Sequence, residues 1–198
     1  MHKSRLEAFS DGVIAIIITI MVLELRAPEE GTLSALLPLL PKFLSYILSF
    51  VFVGIYWNNH HHLLQAAKSV NGAILWANMH LLFWLSLVPF TTIWMGEHFE
   101  TIPVAVYGGV LWVAGLAYYI LSRALIAHHG TDSVIAKAIG RDEKGLRSLF
   151  LYTAAIALAF VSPWVSAGLY VVVAIMWFIP DRRIEEKSPT KRNSTKER

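Results

Sequence analysis

The chain has no cysteine among its 198 residues. It can therefore build neither a disulfide nor a thiolate metal site, and its redox compartment is not readable from sulfur. Charge is also scarce. Asp, Glu, Lys and Arg together make up 16% of the chain, against roughly a quarter in a soluble globular domain. No His-Glu-x-x-His segment occurs, so the common helical zinc-hydrolase motif is missing. No internal repeat stands out. The amino-terminal segment lacks a small-residue cleavage site, and Asp11 interrupts its apolar run, so it does not read as a signal peptide. The first apolar segment is expected to remain in the mature protein.

What is abundant is apolar sequence. Hydrophobic residues make up 56% of the chain, in runs near the ~20 residues that cross a bilayer core. The pattern predicts an all-α integral membrane protein with six transmembrane helices. The expected spans are Ala8 to Leu25, Leu36 to His62, Gly72 to Trp94, Ile102 to Ile126, Leu146 to Val161 and Trp164 to Ile179. Pro38 and Pro41 lead into the second, Pro89 lies near the end of the third, and Ser162-Pro163 divides the last two. Residues 1–183 form one membrane domain, and 184–198 a polar, disordered tail. Gly108, Gly109 and Gly115 in the fourth span read as kink or close-packing positions. Trp94, Trp112, Trp164 and Trp177 read as interfacial anchors.

The basic residues set the orientation. On this span plan, all but Arg26 and Lys42 of the 17 Lys and Arg fall on one side. The positive-inside rule places that side, with both termini, in the cytoplasm. The surplus of positive charge thus serves topology and not nucleic acid. Arg182 and Arg183 after the last span read as an anchor against anionic lipid. Residues 131–145 are expected to hold a short surface helix with Val134, Ile135, Ala138 and Ile139 toward the bilayer.

Two polar regions interrupt the apolar plan. The first is the opening of span one, with Arg5, Phe9, Ser10 and Asp11. Ser-Asp at a helix start is a good cap, and Arg5 is a plain topology residue. Together they are also able to form a buried polar knot with other helices, with Phe9 wedged beside it, because ionisable groups near a span need partners or water. The second region is Trp57-Asn58-Asn59-His60-His61-His62, with Asn78 and His80 in span three. Neighbouring residues on a helix point about 100° apart, so consecutive histidines do not converge on one metal ion. Hydrogen bonds between Asp11 and a histidine, Trp57 or Asn78 are the better use of these groups. Beyond them, Ile16, Thr19, Ile20 and Leu23 share one helix face. That stripe either packs against helices or lipid, or lines a pore that closes as a hydrophobic constriction.

Arg5-x-x-x-Phe9-Ser10-Asp11 before an Ile/Thr-rich span resembles the signature of the transmembrane protein 175 family of potassium channels. Trp57-x-x-His60-His61, Asn78 and Pro89 resemble the family's second and third spans. The resemblance covers the membrane domain and implies a potassium-permeable channel, not an enzyme, with no cofactor and K⁺ as permeant. It implies a pore lined by the first helix, with Ile16 as constriction, Thr19 as the hydroxyl above it, and Ile20 and Leu23 as the next apolar layers. It implies that Arg5, Phe9, Ser10 and Asp11 stabilise helix packing and do not touch ions. The single six-helix unit resembles the prokaryotic type, which implies a homotetramer in a cell membrane. One such unit offers one pore helix, and copies around an axis close a ring. Glu24 stands at the outer mouth or reaches the interface. The competing reading is a proton-coupled secondary transporter with Asp11, His60, His61 and His80 as relay. It lacks the inverted repeat and broken spans common in such carriers. A metalloenzyme built on the histidines is the weakest reading.

Overall fold

A computed structural model describes residues 3–139 and 143–178, and every described element is helical. Helix α1 spans Lys3–Leu23, and a 3₁₀ segment over Leu33–Leu39 leads into α2, Leu40–Ala66. Helices α3, Gly72–Ser86, and α4, Val88–Glu97, follow one another through Leu87 alone. Helix α5 is the longest, Thr101–His129; then come the short α6, Val134–Ile139, and the pair α7, Glu143–Ala159, and α8, Pro163–Phe178.

Local chemistry explains most boundaries. Pro41 sits in the first turn of α2, where its missing N–H costs nothing. Asn71 caps α3 by accepting from the Ile74 N–H at 3.0 Å. Pro89 lies in the first turn of α4 and cannot donate to the preceding turn, so the expected third span is two helices with a break at Leu87. Gly130 ends α5 at φ 90°, a conformation that glycine adopts without a Cβ clash.

Helix α5 runs unbroken through its glycines. A Cβ at Gly108 would overlap the Tyr170 hydroxyl, and one at Gly115 would touch Leu149, whereas Gly109 faces open space. Ile135 does not point outward from α6 but is 1% exposed and joins the core. The side chains of Val134, Ala138 and Ile139, the end of the sixth expected span, Arg141, Arg182, Arg183 and the 184–198 tail lie outside the described residues.

Helix α5 is the spine. It packs on α3 and α4 on one side and on α7 and α8 on the other. One core cluster gathers α1, α2, α3 and α5 around Leu64, Ile74, Leu81 and Leu121. A second gathers α2, α4, α5, α7 and α8 around Phe52, Tyr107, Tyr152 and Tyr170. Among the described residues four helical stretches are long and apolar enough to cross a membrane: Lys3–Leu23, Leu33–Ala66, Gly72–Glu97 and Thr101–His129; α8 is apolar but shorter.

Candidate functional site

Helix α1 has two unlike faces. Leu6, Ser10, Ile14, Ile17 and Met21 recur every three or four residues and are buried against α2, α3 and α4. The opposite stripe is uncovered. Phe9 is 50% exposed, Ile16 60%, Ile20 43% and Leu23 73%, with Gly12 and Thr19 exposed between them. The Thr19 hydroxyl donates back to the Ala15 carbonyl at 2.9 Å, which satisfies it without a partner helix. The stripe is therefore apolar along its length, with one internally bonded hydroxyl.

Behind that stripe runs a hydrogen-bonded chain through three helices. The Ser10 hydroxyl donates to the Leu6 carbonyl at 2.8 Å and accepts from Asn78 Nδ2 at 3.0 Å. Asn78 Oδ1 then meets His60 Nε2 at 2.7 Å. Ser10, Asn78 and His60 are all buried. The amide orientation fixes the roles: Nδ2 faces the serine, so Oδ1 accepts and His60 Nε2 carries the proton. One residue on, Asp11 Oδ1 accepts from Trp57 Nε1 at 3.0 Å at a half-exposed position. His61 stacks on the Trp57 ring, with centroids 5.9 Å apart.

The structure thus brings Ser10, Asp11, Trp57, His60, His61 and Asn78 together, on α1, α2 and α3. Arg5 and Phe9 stand apart on the uncovered face of α1. The capping role for Ser10 and Asp11 does not hold, because α1 is already helical at Lys3 and Ser10 bonds to the preceding turn. His80 lies elsewhere, accepting from Trp84 Nε1 at 3.0 Å within α3. Among the described residues no group of three His, Cys, Asp or Glu is placed to hold a metal ion.

Other polar contacts escaped the sequence reading. Thr92 donates to Ser49 at 2.7 Å, and Ser49 meets the Tyr107 hydroxyl at 3.0 Å, a buried seam joining α2, α4 and α5. Tyr170 on α8 donates to the Val104 carbonyl of α5 at 3.0 Å. Lys42 and Glu97 pair at 2.8 Å where α2 begins and α4 ends. Isolated Ser, Thr and Tyr in apolar helices were the only signal for the first two.

With that geometry in hand, likeness to known proteins is informative. Residues 5–89 match the family model described as the endosomal/lysosomal potassium channel TMEM175. A potassium channel of Chryseobacterium sp. is 54% identical over 94% of this chain and 97% of its own length. The crystal structure of a lysosomal potassium-selective channel TMEM175 homolog from Chamaesiphon minutus superposes with a TM-score of 0.78. It is 32% identical and covers 91% of this chain and 97% of that one. The mouse endosomal/lysosomal proton channel TMEM175 is 28% identical over 82% of this chain, which spans 36% of that longer protein.

Proposed function

The chain belongs to the TMEM175 family, and from that premise we propose that it is a potassium channel whose pore is lined by α1 from several copies. The observation that carries the proposal is the uncovered stripe of α1. Ile16, Thr19, Ile20 and Leu23 stand on a face of that helix that no other described part of the protomer buries. A single α1 encloses nothing, so the stripe becomes a wall only when copies meet around an axis. Four copies make a homotetramer, each with six crossings, α7 and α8 serving as the short last pair. Both termini then lie on the cytoplasmic side of the cell membrane, where the basic residues gather.

In that assembly the rings of Ile16, Ile20 and Leu23 form a hydrophobic constriction, narrowest at Ile16. Thr19 contributes a hydroxyl ring whose proton is already engaged by Ala15. Apolar rings resist wetting, so passage costs part of an ion's hydration, and the larger, less tightly hydrated K⁺ loses less than Na⁺. The buried chain Ser10–Asn78–His60 and the Asp11–Trp57 bond hold α1 at a fixed rotation against α2 and α3. They position the pore wall and need not touch the ion. Glu24, exposed one residue beyond Leu23, stands at the interface.

The test is flux from liposomes driven by a K⁺ gradient, with Na⁺ in parallel, for the native chain and for Ile16→Asn. The native protein should pass K⁺ in preference to Na⁺ without saturation, and the variant should lose much of that preference. Unchanged preference in Ile16→Asn removes Ile16 from the constriction. Saturable flux coupled to protons indicates instead a carrier working through Asp11, His60 and His61. The name of the mouse relative favours a second permeant, the proton. Acidification of the liposome interior under a pH gradient reads that directly.

A further inference from the structure

At the end of α5 two adjacent histidines hold the α2–α3 loop. His129 Nε2 accepts from the backbone N–H of Lys68 at 3.1 Å and of Ser69 at 3.4 Å. Backbone N–H groups only donate, so this nitrogen carries no proton, and the other, Nδ1, donates to the Leu125 carbonyl at 2.9 Å. His128 is fixed as firmly. Asn71 Oδ1 is occupied by the Ile74 N–H, so Asn71 Nδ2 is the group that faces His128 Nδ1 at 3.2 Å, and that nitrogen also accepts. Its Nε2 then donates to the Ser69 hydroxyl at 3.0 Å. The two rings pack edge to face, 4.9 Å apart. Every contact requires both imidazoles neutral, and the site is open to solvent.

We propose that His128 and His129 form a proton-released latch that clamps residues 68–71 and the start of α3 to the end of α5. A proton on either ring turns an acceptor into a donor facing a donor. For His129 that opposes two backbone N–H groups, and for His128 the amide that also caps α3. Histidine is the side chain whose charge ordinarily changes between about pH 5 and 8. The charged and titratable groups around it belong to several elements. Lys68 lies in the loop, and His61 and His62 stand earlier on α2. Lys3 on α1 donates to the Leu64 and Gln65 carbonyls and pairs with Glu7. Arg123 stands earlier on α5, Asp132 and Lys137 follow it, and Lys144 and Arg147 are on α7. The latch reaches α1 because α3 carries Asn78, which holds Ser10. That last link rests on the channel reading.

Hydrogen exchange of residues 67–76 in the full chain in nanodiscs tests the latch without any flux. Corrected for intrinsic rates, protection of the Lys68, Ser69 and Ile74 amides should fall on the order of tenfold from about pH 7.5 to about pH 5.5. In His128→Gln/His129→Gln, where neutral amides replace the rings, that fall should vanish. Equal protection at both pH values in the native chain overturns the latch, as does an equal fall in the double variant. If the double variant does not fold, His129→Gln alone must abolish the response at Lys68 and Ser69, and a retained response overturns the proposal. K⁺ flux from the same preparations separates the coupling. Flux that changes over this range in the native chain only supports it, and pH-independent flux beside a responsive latch overturns the link to α1. No flux at any pH counts against the channel reading alone.

Discussion

Replacing Asn78 with alanine should be far more disruptive than the loss of one small polar side chain suggests. Asn78 is fully buried and bonds in two directions, to Ser10 on α1 and to His60 on α2. Interhelical side-chain bonds in membranes contribute about 0.6–2 kcal/mol each. The truncation removes two of them. It also leaves the His60 Nε2–H buried without an acceptor, at a further cost of about 1–3 kcal/mol. The expected loss is therefore about 2–7 kcal/mol. Ser10→Ala removes only the acceptor for Asn78, because the serine proton is spent within α1, and should cost about 1 kcal/mol. Trp57→Phe breaks a bond at a half-exposed site and should cost about 0.5 kcal/mol or less. Equilibrium unfolding in bicelles by steric trapping reads all three. The Ser10→Ala/Asn78→Ala cycle should give a coupling of about 0.5–1.5 kcal/mol. An Asn78→Ala variant no less stable than Ser10→Ala, or strict additivity between them, would refute the network as a structural tie.

Three further outcomes are expected. Gly108→Ala forces its Cβ against the Tyr170 hydroxyl and should destabilise by about 1–3 kcal/mol, whereas Gly109→Ala faces open space and should be neutral or gain up to about 1 kcal/mol; thermal melts in detergent compare the two. Tyr170→Phe in the Gly108→Ala background should recover part of that loss, because it removes the colliding oxygen. Glu97→Gln should change stability by less than about 1 kcal/mol, since the Lys42–Glu97 pair is well exposed, and the same melts read it.

Which parts of this molecule could be read from residues alone follows from what each residue type must satisfy. Ser10, Asp11, Trp57, His60 and Asn78 were visible as a group because polar side chains in apolar helices have few places to go. Their pairing was less legible: Asp11 had several possible partners, and only the helix rotations select Trp57. The start of α1 was drawn too late. Lys3, Arg5 and Glu7 mark where apolar sequence begins, but the helix extends past the apolar run, and Lys3 reaches across to the end of α2. Pro89 announced a disturbance near the end of the third span, yet whether the helix would bend or stop depended on packing around Leu87. Gly108 was legible as a close approach, but not that a tyrosine hydroxyl from α8 fills it. The inward turn of Ile135 was not legible, because a six-residue helix carries too little periodicity to show which face meets the core. His128 and His129 gave no signal, since their partners lie some 60 residues away, at the α2–α3 junction.

The claim that matters most is that the uncovered stripe of α1 lines an aqueous path. The absence of native cysteine makes it directly accessible to single-cysteine scanning. Cysteine placed at Ile16, Thr19, Ile20 or Leu23 should make K⁺ flux sensitive to a small membrane-impermeant thiol reagent or to Ag⁺. Cysteine at the buried Ile14, Ile17 or Met21 should leave it insensitive. If the stripe positions are as unreactive as the buried ones, α1 faces lipid or protein there, and the pore lies elsewhere.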